Sequence, residues 1–382
     1  MAASRALRFE VSPITYARPG RFGPLLNSNK ERVMHRERYC SDCETEASGL
    51  SRRRFVQTVG AAAATSATLP QLITAADEKA DAKQPETLVK KLYDSLTPTQ
   101  REEICFKWDH QDDRGLLRTH VSNNWHITDY KKFNVISDFF TKDQHGLIEA
   151  IFYGLYNPEW HDRLKQQLKD DAGGYGKAQS IALFGEPGTG KFEFVMTGRH
   201  LTIRCDGNST ESYAFGGPIF YGHAAKGFNE EAGHPGNVYW HQAQKANALF
   251  QMLDGKQRNK ALVEKSPGES QVGFNGSKPK PGLACSELSA DQKKHIQEVL
   301  GLLLEPYRAG DQQEALRCFD KQGGWDACNI AFYKSDDIGN DGVWDNWRLE
   351  GPSFVWYFRG APHVHVWVNI ADSANHKLNA VG

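Results

Sequence analysis

Histidines carry the strongest chemical signal. The chain has 14 of them, and His363-Val364-His365-Val366-Trp367-Val368 spaces two for a strand, in which alternation puts both imidazoles and the Trp on one side and three valines on the other. Two imidazoles side by side on rigid backbone suit a shared zinc, copper or iron ion. His200, two residues after Gly198 in a segment that reads strand, turn, strand, is the expected third ligand, and His223 is a further candidate. The competing reading is a set of half-buried histidines bonded to neighbours beside an aromatic cluster, and no second ligand motif fixed by spacing decides between the two.

A second polar constellation lies between Asp109 and His126. Asp112-Asp113-Arg114 followed by Asn124-Trp125-His126 brings acid, guanidinium, amide, indole and imidazole into one loop. Arg114 and His126 are the expected catalytic groups there, while Asn124 and Trp125 are the expected substrate contacts, the amide fixing orientation and the ring offering a flat apolar face. Five of the nine tryptophans fall between Trp325 and Trp367. They form either a wall for stacking sugars or the core of the second half of the protein.

Other motifs carry less. Gly185-Glu186-Pro187-Gly188-Thr189-Gly190-Lys191 has the spacing of a phosphate-binding loop, but Phe192 stands where a magnesium-binding hydroxyl is needed. The residues after it alternate as a strand, whereas a phosphate loop must open a helix. No Gly-x-Ser-x-Gly elbow occurs and no cysteine sits in a catalytic frame. Cys40 and Cys43 form an isolated Cys-x-x-Cys upstream of the body. The other five cysteines are too sparse for a disulfide framework, with Cys318 and Cys328 the one pair open to bridging.

The elements that must position these residues repeat. Leu92 to Arg101 aligns without gaps on Leu249 to Arg258, each an apolar segment, a turn and a new helix opening with Gln-Arg. Thr141-Lys142-Asp143-Gln144 and Ser289-Ala290-Asp291-Gln292 are capping boxes ahead of amphipathic runs that end at Pro158 and Pro306. Phe192 to Ile203 answers to Asp345 to Trp356, strand, turn, strand in both. The spacing predicts an α+β fold of two pseudo-repeats, each a helical pair followed by a β-hairpin, packed around a shared sheet. The halves are expected over residues 87–245 and 246–372, with a tail from 373 to 382.

The first 76 residues read as an address. Arg52-Arg53, with Phe55-Val56 and a mild Ala/Thr-rich run from Thr58 to Thr74, has the order of a twin-arginine export signal, cleaved near Thr74-Ala75-Ala76. Met34 is a plausible alternative start. A charged linker over residues 77–86 follows. Of 46 Lys+Arg and 47 Asp+Glu, the leader holds 11 and 6, so the remainder carries 35 against 41, a net of −6. That balance argues against a nucleic-acid binder, and no run of about 18 apolar residues predicts a membrane span. The expected location is the periplasm or the cell exterior, the expected partners the twin-arginine translocase and a small polar ligand.

Asp113-Arg114 with Asn124-Trp125-His126, then Phe184-Gly185-x-Pro187, Gly198-x-His200-Leu201, Gly282-Leu283 and His363-x-His365 near Trp367 also resemble an uncharacterised bacterial family, the domain-of-unknown-function family 3500. The resemblance covers nearly all of residues 87–372 and implies the fold unit and export. Arg199 stands where the family usually has a second His, and Arg359-Gly360-Ala361-Pro362 where it tends to have an acidic, amide-rich stretch. Two functions stay open on the sequence. One is a metal-assisted hydrolase or oxidoreductase acting on a polar organic, carbohydrate-like substrate. The other is a non-catalytic exported binding protein with a histidine- and aromatic-rich cleft.

Overall fold

Helix starts in this chain are written in side-chain caps. Thr97, Thr141, Asp254 and Ser289 each accept from the amide three residues on, while the Gln at that position reaches back to the cap residue's own N–H. Two orphan donors are satisfied at each start. The capped helices are α2 (Pro98–Ile104), α3 (Lys142–Gly154), α6 (Gly255–Ala261) and α7 (Ala290–Leu304). With them go α1 (Pro85–Ser95), α4 (His161–Ala172), α5 (Trp240–Met252) and α8 (Ala309–Lys321). The computed structural model describes residues 84–210, 212–224, 238–339, 343–376 and 379–380. The expected leader, with Arg52-Arg53 and the Cys40–Cys43 pair, lies outside those residues, as does the linker through residue 83.

The fold is α+β, built on one large mixed sheet. Its strands are β1 (Cys105–Phe106), β2 (Gln179–Gly185), β3 (Phe192–Gly198), β4 (Leu201–Cys205), β5 (Ile219–His223), β6 (Leu262–Val263), β7 (Leu283–Ala284), β8 (Asn329–Tyr333), β9 (Asn346–Glu350), β10 (Phe354–Arg359) and β11 (Val364–Ile370). Across the sheet they run β1-β2-β3-β4-β5-β11-β10-β9-β8-β7, with β6 also on β8. β5 and β11 pair antiparallel at the centre, Gly222 opposite His365.

The two faces are covered differently. Val364, Val366, Val368 and Ile370 of β11 join the main apolar core with residues of the helices, whereas Trp367 belongs to a separate cluster on the other face. That second face is roofed by two irregular segments. Leu117, Trp125 and Ile127 pack on Ala182, Phe184 and Val195; Val263, Val272 and Phe274 pack with Tyr333, Val355, Tyr357 and Trp367. The roofs meet where the Asn123 amide donates to Glu269.

Several expectations resolve here. Residues 192–205 and 345–358 are strand, turn, strand. The phosphate-loop spacing from Gly185 to Lys191 is the loop of the β2–β3 hairpin, with Gly185 pairing Phe192. Trp347, Trp356 and Trp367 are fully buried, so they are core and not a sugar-stacking wall. Cys318 and Cys328 are both free thiols. The expected boundary at 245/246 falls inside α5, a helix whose apolar face runs on through it. Within the expected tail, Asn379–Ala380 pairs in parallel with His120–Val121.

Candidate metal centre

His200 occupies a two-residue turn between β3 and β4, with Gly198 pairing Leu201 on either side. Its φ is 51°, a left-handed conformation costing a non-glycine residue about 1–2 kcal/mol. Contacts hold it there: its N–H donates to Asn124 Oδ1 at 3.0 Å, and its carbonyl accepts from Gln167 at 3.4 Å. His363 precedes β11 and His365 lies within it, on the face opposite the valines, as alternation requires.

A missing side chain lets the three rings meet. Gly222 lies across from His365, and a Cβ there would stand 2.1 Å from the Val364 carbonyl oxygen and 3.0 Å from His200 Cδ2. With only hydrogen at that position, His200 reaches over β5. Its Nε2 lies 3.0 Å from His365 Nε2, and His363 Nε2 lies 3.0 Å from the same atom. The three donor nitrogens are all within 4.8 Å of one another. Nitrogens bound at 2.0–2.1 Å to a tetrahedral ion sit about 3.3 Å apart, so closing on an ion needs only small side-chain adjustments.

Carboxylates set the tautomers from behind. Asp171 Oδ1 lies 3.1 Å from His200 Nδ1, and Glu269 Oε1 lies 3.2 Å from His365 Nδ1. The His365 contact is a hydrogen bond, whereas His200 Nδ1 lies close to Asp171 without hydrogen-bond geometry; with the proton on Nδ1 beside each carboxylate, both Nε2 atoms are bare lone pairs. Two lone pairs 3.0 Å apart repel unless a proton or a metal cation lies between them. An extra proton on His365 or His363 is a poor answer. Burial, helped by Arg359, His363, His200 and Arg199, holds His365 well below the usual histidine range. Burial, with His200 and Arg359 adding to it, pushes His363 down to about 2. The donor set fits a divalent transition metal: three imidazoles, two of them facing acids.

The Asp171 carboxyl is raised by burial, but His200, His223 and the Ala224 amide more than offset this, and its pKa falls below the usual value. His223 stands at the end of β5 with Nε2 3.3 Å from Asp170; burial lowers its pKa. It borders the triad without joining it. Arg359 is opposite His365 in register and holds Glu269 at 2.8 Å.

The Asp109–His126 segment divides. Asn124 serves the triad, since its amide oxygen fixes the His200 backbone. Arg114 is spent on Asp112 and on the carbonyls of His126 and Ile127. Trp125 is a roof residue, its Nε1 donating to Thr202 at 2.8 Å, and His126 stacks on Tyr130 at 3.9 Å, its pKa brought to about 4 by burial. Among the described residues no hydrogen bond, ion pair or ring contact joins Arg114, Trp125 or His126 to the triad.

Sequence reasoning did not find Asp171, Glu269 or Gly222. Asp170-Asp171 did leave a trace, because acids in a helix's last turn oppose its dipole. Glu269 sits in an aperiodic loop and leaves none.

A family description, protein of unknown function DUF3500, matches residues 78–376. The chain belongs to that family. The matched span contains all three histidines and both bracing acids. No curated protein matches the chain, and no solved structure does. Among the described residues no helix is long and apolar enough to cross a membrane.

Proposed function

We propose that this is an exported metalloprotein that holds one divalent transition metal, zinc, copper or iron, on His200, His363 and His365, and uses it to assist hydrolysis or oxidoreduction of a polar organic substrate. The observation that carries the reading is the convergence of three Nε2 atoms, two of them on rings whose Nδ1 faces a buried or half-buried acid. Such an ion would supply a Lewis acid and a site for an activated water or substrate oxygen. Asp171 and Glu269 orient the ligands. Asp170, Arg199 and Glu269 keep 25%, 28% and 19% of their side chains exposed, a polar rim in keeping with a polar, carbohydrate-like substrate. A second reading, a non-catalytic binding protein, is favoured by the burial of the triad itself, 0%, 6% and 0% exposed.

The same reading includes duplication, with the site at the seam. The strand order supports it, since each half runs from a short parallel edge strand through three antiparallel steps to the β5–β11 pair. So do the capping glutamines: Gln100 bonds Gln144 and the carbonyl of Ser95 accepts from Gln144, while Gln257 bonds Gln292 and the carbonyl of Met252 accepts from it. On this reading the second half starts with α5. Export rests on the twin-arginine pattern alone.

Metal analysis of protein purified from its export compartment tests the centre. About one ion per chain is expected, lost when His363 and His365 are both replaced by Ala. A metal-free protein that takes up none on titration would leave the binding-protein reading.

A further inference from the structure

Under the second roof, and sharing no residue with the triad, lies a cleft of about 560 Å³. That size falls in the range of small-molecule sites. One wall is the loop that follows β6; the other is Tyr333 of β8 with Arg348 and Glu350 of β9. These three polar side chains are only 1%, 4% and 3% exposed.

Arg348 is locked in place. Its Nη1 donates to the Gln271 carbonyl at 2.6 Å and its Nη2 to Glu350 Oε1 at 2.9 Å. Nε of the same guanidinium is buried without an acceptor, and so is the Tyr333 hydroxyl. The two stand on paired strands, Ala331 being the register partner of Arg348 and Tyr333 lying two residues on. A buried donor left dry costs about 1–3 kcal/mol, so two in one cleft wall call for an acceptor that the protein does not supply. Charge points the same way. Two basic side chains, Lys265 and Arg348, line the cleft against one carboxyl, Glu350, whose pKa burial raises, and Lys265 is exposed with no ion pair among the described residues. Phe274, Pro267 and Pro281 give the remaining lining an apolar surface.

We propose that this cleft binds a small organic acid as its anion, the carboxylate accepting from Tyr333 and Arg348 with Lys265 at the mouth, and an apolar body lying against Phe274 and Pro267. The site is independent of the metal and persists when the triad is disabled.

The test is calorimetric titration of the mature chain with benzoate and with hexanoate, using benzamide as the uncharged counterpart. One acid bound per chain is expected, with benzamide at least about tenfold weaker. Tyr333→Phe is expected to weaken the acid by about tenfold while leaving thermal stability unchanged or raised, because it deletes an orphan donor. Lys265→Gln, an exposed position that cannot endanger folding, is expected to weaken binding severalfold and to flatten its salt dependence. Titrating the His363→Ala/His365→Ala protein separates this site from the metal centre, and the same affinity is expected there. No saturable binding of either acid at about 10 mM, equal affinity for benzamide, or full affinity in both variants would each overturn the proposal.

Discussion

Asp171→Asn tests whether a buried acid behind the triad makes it a metal site. The Asp171 side chain is fully buried, and Oδ1 takes both the Ala224 amide at 3.0 Å and the contact with His200 Nδ1. Asn keeps an oxygen at that position, so both contacts survive while the charge is lost, as is the bond that Oδ2 accepts from Gln167 at 3.2 Å. Adding the ring and a metal–nitrogen bond to the 3.1 Å contact places the carboxylate about 7 Å from a bound ion. At an effective dielectric near 20, a divalent ion would feel roughly 4–5 kcal/mol of attraction, an upper bound because Arg199 is 3.9 Å from the same oxygen. Acids behind metal-bound imidazoles contribute about 10–100-fold in affinity, about 1.4–2.7 kcal/mol, comfortably under that ceiling. Competition of the apoprotein with a chromophoric zinc chelator at neutral pH reads the change directly. The metal-free variant should melt within a few degrees of the parent, whereas His200→Ala should abolish stoichiometric binding. Unchanged zinc affinity in Asp171→Asn, with the fold intact, would refute the argument that the acid sets the His200 tautomer for a metal.

Gly222→Ala should cost roughly 1–3 kcal/mol in denaturant unfolding and eliminate metal uptake, since the added Cβ meets the Val364 carbonyl and the His200 ring; normal uptake would mean that His200 does not need that gap. Glu314 is pushed up to about 8, chiefly by burial and then by Asp206 and Asp311. The unfolded chain releases this proton near the ordinary carboxyl value while the folded protein keeps it, so stability should fall as pH rises toward 8. Glu314→Gln, which retains an acceptor for the Phe215 amide, should flatten that fall and add up to about 4 kcal/mol at pH 8; an identical pH profile in both proteins would contradict it. Replacing Arg52 and Arg53 with Lys should leave precursor in the cytoplasm, and fractionation that finds the cleaved product outside would remove the twin-arginine assignment.

Much of the architecture was legible because it is local. Capping boxes at Thr141 and Ser289 announce helices through bonds spanning three residues, and the alternation of His363, His365 and Trp367 with valines assigns faces to a strand before any partner is known. Sheet order was not legible, since β5 and β11 meet across some 140 intervening residues and nothing in either strand names the other. The histidine triad was half legible. His363 and His365 are neighbours by period, and His200 was suggested by its hairpin, but their distance of approach depends on Gly222, whose role appears only when β5 lies between them. Asp171 and Glu269 come from a helix end and an aperiodic loop, so only tertiary packing puts them behind the rings. Arg114, Trp125 and His126 show the converse: their types suit a binding site, yet packing spends them on a carboxylate and carbonyls, a threonine and a tyrosine ring. Residue type and period are written along the chain, whereas which side chain must satisfy which buried partner is decided only when the sheet closes.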